Sequence, residues 1–351
     1  MQKYRPLFLT PLLTVAGPLA LSVLSVFALP TYEPFSYTAG TNLVNSSSPA
    51  GLTNTWYAVG TNVSGTPVAV VSGSLTMPSL AVSQCNSVKF GGLGPSARLN
   101  LTPTGLPITS GSLYFSFLLR VTDLTGLDTT GGFVAGFNNS RNAQGNTPTV
   151  IAPRVMLRAV VTGDVTNGFN VGMTKSSDLT ADRAWDPTVF DTNQTIFLVG
   201  RYQFNPADGF DDLGILWVNP APSTYGAADE PQTGLNTTAG PDLTALASFV
   251  LLQRSAINEP AAMIVDELRF GTAWAYVTAT DPPAPTLSVS LSNATAVLSW
   301  TTNVNCFTLE QTPALPDTWT PVTNPAVVEG MQYVVQVDAT NASRFYRLRS
   351  P

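Results

Sequence analysis

The chain contains no histidine among its 351 residues. Ser-His-Asp triads, Cys-His pairs, histidine zinc sites and histidine general bases are therefore excluded. Lysine is almost as scarce, with Lys3, Lys89 and Lys175 the full complement. The formal charge is −6, and it becomes −8 once Lys3 and Arg5 leave with the N-terminal segment. An acidic chain without a basic stripe offers nothing to a phosphate backbone, so nucleic acid is not an expected partner. Cysteine is limited to Cys85 and Cys306, one in each expected domain. They are read as two separate buried thiols rather than a staple, and a pair without histidine is not expected to hold a metal. Charged residues make up only 11%, about half the usual share.

What fills the gap is 44% hydrophobic residues with abundant Ser, Thr, Asn, Gly and Pro. That balance suits many short strands joined by turns, with hydroxyl and amide groups on the polar faces. Met1 to Ala28 has a charged start, an apolar middle and a small-residue end, the pattern of a signal peptide cleaved after Ala28. Pro11 and Pro18 interrupt the apolar run, and no second stretch approaches spanning length. The expected mature protein is secreted, extracellular or on the cell surface, with no membrane attachment. The stiff segment 281–285, Asp-Pro-Pro-Ala-Pro, is the clearest boundary. It divides a large domain, 29–280, from a small one, 286–351.

Within the large domain the period is two. Leu113, Phe115, Phe117, Leu119 and Val121 alternate with Ser112, Tyr114, Ser116 and Arg120, the signature of a strand with one buried face. Similar runs at 154–161, 169–174, 196–204, 213–219, 246–253 and 263–270 predict an all-β fold, a large sandwich of two packed sheets.

Ile264-Val265-Asp266-Glu267-Leu268-Arg269-Phe270-Gly271 resembles the closing strand of laminin-G-like, concanavalin-A-like jelly rolls. Residues 32–37, 87–99 and 217–220 are similar to those of secreted bacterial proteins with that fold. The small domain has Trp300 on an early strand and Tyr346-Arg347 on a late one, and resembles a reduced fibronectin-III-like or immunoglobulin-like β-sandwich, or one whose edge a partner completes. The resemblance implies a jelly roll followed by a small C-terminal β-sandwich. It leaves function open, because this fold hosts lectins, hydrolases and passive modules alike. Hydrolases of the jelly-roll kind carry Glu-x-Asp-x-Glu on one strand face, whereas the six glutamates here are scattered. No catalytic residue is expected.

Candidate sites follow from residue chemistry. Trp56, Tyr57, Trp185 and Tyr225 lie in loop-rich contexts, where a flat ring can stack on a sugar or plug the end of a sandwich. Asn205, Asp208, Asp211 and Asp212 crowd oxygen ligands into eight residues. That spacing suits Ca²⁺, which the resemblance also implies at a sandwich rim, although Asp and Gly are equally ordinary in an exposed hairpin. Alternation places Asp266 on the buried face with Ile264, Leu268 and Phe270, and Glu267 and Arg269 on the opposite, exposed one. A buried carboxylate must find an arginine, main-chain N–H groups or a cation. The expected function is non-catalytic binding or adhesion, with extracellular polysaccharide as one partner class. The alternatives are a structural surface or matrix protein acting through protein contacts, and a polysaccharide-active glycoside hydrolase.

Overall fold

A computed structural model describes residues 31–44, 55–81, 83, 85–102, 106–280, 286–292, 294–301, 307–316, 318–330, 332–339 and 343–349. The expected signal peptide (1–28), the linker (281–285) and Cys306 lie outside them. In chain order the first strands are β1 (Thr31–Glu33), β2 (Trp56–Val59), β3 (Ala69–Val71), β4 (Ser87–Phe90), β5 (Ser96–Asn100), β6 (Ser112–Asp123), β7 (Gly132–Asn138) and β8 (Ile151–Thr162). They continue with β9 (Val165–Thr174), β10 (Ala184–Trp185), β11 (Thr195–Gln203), β12 (Leu213–Val218), β13 (Leu235–Thr237), β14 (Ser248–Leu251) and β15 (Ala262–Gly271), followed by one helical turn, α1 (Trp274–Val277).

These strands form two antiparallel sheets. One has the order β13-β12-β11-β6-β15-β4-β3, with β1 also on β15; the other runs β10-β9-β8-β7-β14-β5-β2. Every non-consecutive neighbour in those orders is a crossover, the jelly-roll pattern. The alternation in β6 explains the core: Leu113, Phe115, Phe117, Leu119 and Val121 all enter the cluster between the sheets. There Phe115, Phe137, Phe249 and Phe270 meet at centroid separations from 5.1 to 6.1 Å. Gly200 lies opposite Phe115 on β11, and a Cβ there would come within 2.1 Å of the ring, so that pair needs glycine.

Tyr114 and Leu118, on the other face of β6, are also buried, in a second cluster with Leu75, Tyr225, Trp274 and Val277. The segment around Leu75, the loop before Tyr225 and α1 therefore cover the outer side of the eight-stranded sheet. The other sheet's outer side, facing away from the core, is only partly covered.

The C-terminal strands are β16 (Ser288–Ser292), β17 (Thr295–Thr301), β18 (Thr308–Thr312), β19 (Thr320–Pro321), β20 (Val327–Glu329), β21 (Gln332–Asp338) and β22 (Phe345–Arg349). They form a second, small sandwich from a four-stranded sheet, β16-β17-β21-β20, and a three-stranded one, β19-β18-β22. Its core holds Leu298, Trp300, Leu309 and Val335. Among the described residues no helix is long and apolar enough to cross a membrane. Cys85 is disulfide-bonded, which corrects the expectation of two separate thiols.

Candidate functional site

The four aromatic candidates separate into two pairs. Trp56 is opposite Leu99 on β5 and points into the core, where it is fully buried and its indole N–H donates to Glu33 Oε2 at 3.0 Å. Tyr225 follows a 3₁₀ turn at Pro222–Thr224 that lays it against Phe197, edge to face at 5.4 Å. Both are packing residues, and the contact role expected for them is corrected. Tyr57 and Trp185 instead point outward from the seven-stranded sheet, at its two opposite edges: Tyr57 is paired with Arg98 and Trp185 with Gly172.

Trp185 is half-buried and rests on Gly172, where a Cβ would come within 2.4 Å of the ring. The Arg158 guanidinium stands 4.4 Å from the ring centroid, a cation–π contact. Its Nε donates to Asn170 Oδ1 at 3.1 Å. One strand further in, Phe133 has the guanidinium of Arg154 at 4.5 Å and that of Arg254 at 4.1 Å. Arg154 is nearly buried and donates to the main-chain oxygens of Ile151, Ser177 and Thr149 and to Asp178. Arg183 donates to Thr130 O. Arg154 and Asp178 also line a cavity of about 360 Å³ with Asn139, Ser176 and Asp242. A cavity of about 580 Å³ elsewhere offers Lys89 and Asp123 as its ionic groups, both exposed side chains without ion pairs among the described residues. Composition gave no hint of this arginine-lined face. Arg154 and Arg158 sit at polar positions of the 154–161 run, and that was the available signal.

Tyr57 is separated from this region by a crossing loop. Residues 139–150 leave β7 and pass over the outer side of β14 and β5, and Gln144 bonds to the main chain on either side of Val59 at the edge of β2. Arg98 fastens the loop. Its Nη1 donates to the main-chain oxygens of Arg141 and Asn142, and its Nη2 to Asn138 Oδ1 and Gln144 Oε1, at 2.7 to 3.3 Å. No carboxylate faces it among the described residues, its Nε has no acceptor, and burial lowers its pKa to about 10. Val59, Ile151, Val250 and Leu252 form a small apolar cluster on this outer side.

The aspartate loop folds differently from a four-ligand cradle. Asp212 is buried, accepting the Tyr202 hydroxyl and the Asn205 N–H. The Asn205 amide donates to Asp211 O. Asp208 closes a turn by accepting the Phe210 N–H at 2.7 Å. Two of the four expected ligands, Asp208 and Asp211, thus share a group with Asp242, their carboxyl oxygens lying within 4.8 Å of one another. Asn205 and Asp212 are turned to other work. Asp242 already receives the buried ammonium of Lys175, so this group has a built-in cation.

Asp266 is fully buried, but on the other side of its strand. β15 carries one extra residue between Asp266, opposite Leu118, and Arg269, opposite Ser116, and Glu267 takes a φ of +55°. This bulge reverses the alternation. Met263 and Val265 face the core before it, and Leu268 and Phe270 after it. Asp266 therefore faces outward beneath the Leu75 segment, with Oδ2 accepting Leu75 N–H and Oδ1 accepting Glu267 N–H, both at 2.8 Å. Glu267 is buried too, a second correction: it accepts the Tyr32 hydroxyl at 2.7 Å and Arg269 Nη2 at 3.2 Å. Burial, then the nearby Glu267 charge, pushes the Asp266 pKa well up. Glu259 is likewise buried and pushed up to about 7 by desolvation, against the pull of Arg254.

No protein-family model matches the chain, and no curated protein matches it. Among solved structures it is similar to an endo-beta-1,4-glucuronan lyase from the fungus Trichoderma reesei, at 10% identity and a TM-score of 0.38, over 65% of this chain and 98% of that one. It is also similar to an alginate lyase, at 10% and 0.33 over 62% and 96% of the two chains, and to peanut lectin, at 10% and 0.35 over 69% and 96%.

Proposed function

We propose that this is an exported, non-catalytic binding protein whose large domain, 29–280, takes a polysaccharide on the outer side of the seven-stranded sheet, around Trp185. The small domain, 286–351, follows the linker 281–285 as a spacer or docking unit. One observation carries the reading. Trp185 is held half-exposed on Gly172 with the Arg158 guanidinium over its ring, and Arg154, four residues back on the same strand, lines a cavity. An immobilised ring next to guanidinium forks supplies the stacking and hydrogen bonding that a sugar requires. The Cys85 disulfide supports export, since such bonds persist in oxidising compartments.

The test is a glycan array and a polysaccharide pull-down with wild type, Trp185→Ala and Arg158→Ala, each with and without added Ca²⁺. Wild-type binding that falls about tenfold or more in both variants is expected, since each removes a central contact. Binding that is equal in all three would place the ligand elsewhere, and product release from a polysaccharide would overturn the non-catalytic half of the reading.

A further inference from the structure

Among the described residues, strand β16 is an edge strand whose apolar residues are uncovered. Val289 is opposite Leu298 and Leu291 opposite Ala296, both core residues, so Val289 and Leu291 point to the core side of their sheet. Yet they are 57% and 71% exposed. The other edges are guarded as edges in soluble proteins usually are. β3, β10, β13 and β20 have two or three residues, β20 ending in Glu329; β19 carries Pro321; β22 carries Arg347 and Arg349; and β2 is capped by Gln144. β16 has five residues, no proline and no charge. The whole stretch Thr286–Thr301 lacks a charged residue, in a chain of net charge −6.

The stretch from one residue before β16 to its fourth residue is also a palindrome, Leu287-Ser288-Val289-Ser290-Leu291. We infer that β16 pairs antiparallel with β16 of a second copy about a two-fold axis through Val289. Directly opposed residues then match: Val289 meets Val289, Leu287 meets Leu291, and Ser288 meets Ser290, with each row on one face. The two four-stranded sheets become one of eight strands, and the neutral hairpin keeps like charges away from the axis. A contact of this length buries roughly 800 Å² in total, below the roughly 1,200 Å² of stable interfaces, so the dimer is a weak one, of micromolar affinity or poorer. The inference stands apart from the binding face around Trp185.

Sedimentation of the full mature chain over a concentration series tests it. Monomer giving way to dimer is expected. Val289→Lys sets two ammonium groups against each other and should weaken association by about tenfold or more. Val289→Cys sits on the axis and should yield a covalent dimer on mild oxidation, whereas Val327→Cys, equally exposed on the far edge of the same sheet, should not. A wild type that stays monomeric at every concentration with no Val289→Cys dimer would overturn the inference. So would a dimer that survives Val289→Lys while position 327 cross-links as readily as 289.

Discussion

Asp266 holds two main-chain N–H groups, of Leu75 and Glu267, in a place water does not reach. Removing the acceptor strands both donors, so Asp266→Ala should cost about 2–4 kcal/mol in urea melts. Asp266→Asn keeps an acceptor and removes a charge that burial disfavours, and should cost less than half as much; equal losses would mean that the charge itself carries the stabilisation. Glu259 makes the pH dependence testable. Its pKa is raised to about 7 in the folded protein from an ordinary value of 4.5, mainly by desolvation. A carboxyl with a raised folded pKa contributes stability that is present below about pH 4.5 and lost as pH rises through about 7. Asp266 and Glu33 are shifted upward as well, with the same sign. The protein should therefore melt higher near about pH 5 than near about pH 8, and Glu259→Gln should shrink the difference. A melting temperature that is unchanged or higher at the alkaline end would refute this.

At the level of elements, the loop 139–150 is fastened by Arg98, with Asn100 paired to Asn142 and Ser248 donating to Ser140 O. Arg98 reaches two carbonyls and the Gln144 amide on the loop, and the Asn138 amide at the end of β7. Arg98→Ala should expose the loop to protease at a rate about tenfold or more above wild type, and Arg98→Lys, which keeps charge but loses the fork, should restore little of the protection. Cleavage at the wild-type rate in both would show that the apolar cluster, not Arg98, holds the loop down. The strands themselves were legible in the sequence because half-buried β structure writes its period of two into the residues, as Leu113 to Val121 illustrate. The bulge at Glu267 was not legible. One inserted residue leaves both flanking runs looking regular, and only pairing with Leu118 and Ser116 reveals the shift. The burial of Trp56 and Tyr225 is illegible for a related reason, since loop-like neighbours say nothing about which face a ring will bury. Trp185 could be placed only through Gly172, a contact between strands distant from any motif.

For the whole molecule, an acidic, histidine-free sandwich gathers Arg98, Arg154, Arg158, Arg183 and Arg254 at one sheet, while Lys175 pairs with Asp242 beside its aspartate loop. Binding, if it lies on that arginine face, should weaken with added salt, because exposed charge is screened beyond roughly 10 Å at 0.1 M. Added Ca²⁺ should leave it unchanged. The most direct measurement is titration of the immobilised polysaccharide that wild type retains best with wild type and Trp185→Ala in parallel, with circular dichroism confirming that both are folded. Saturable binding by wild type is expected, weakened by about tenfold or more in the folded variant. Equal affinity for the two, or no saturable binding to any polysaccharide, would contradict it.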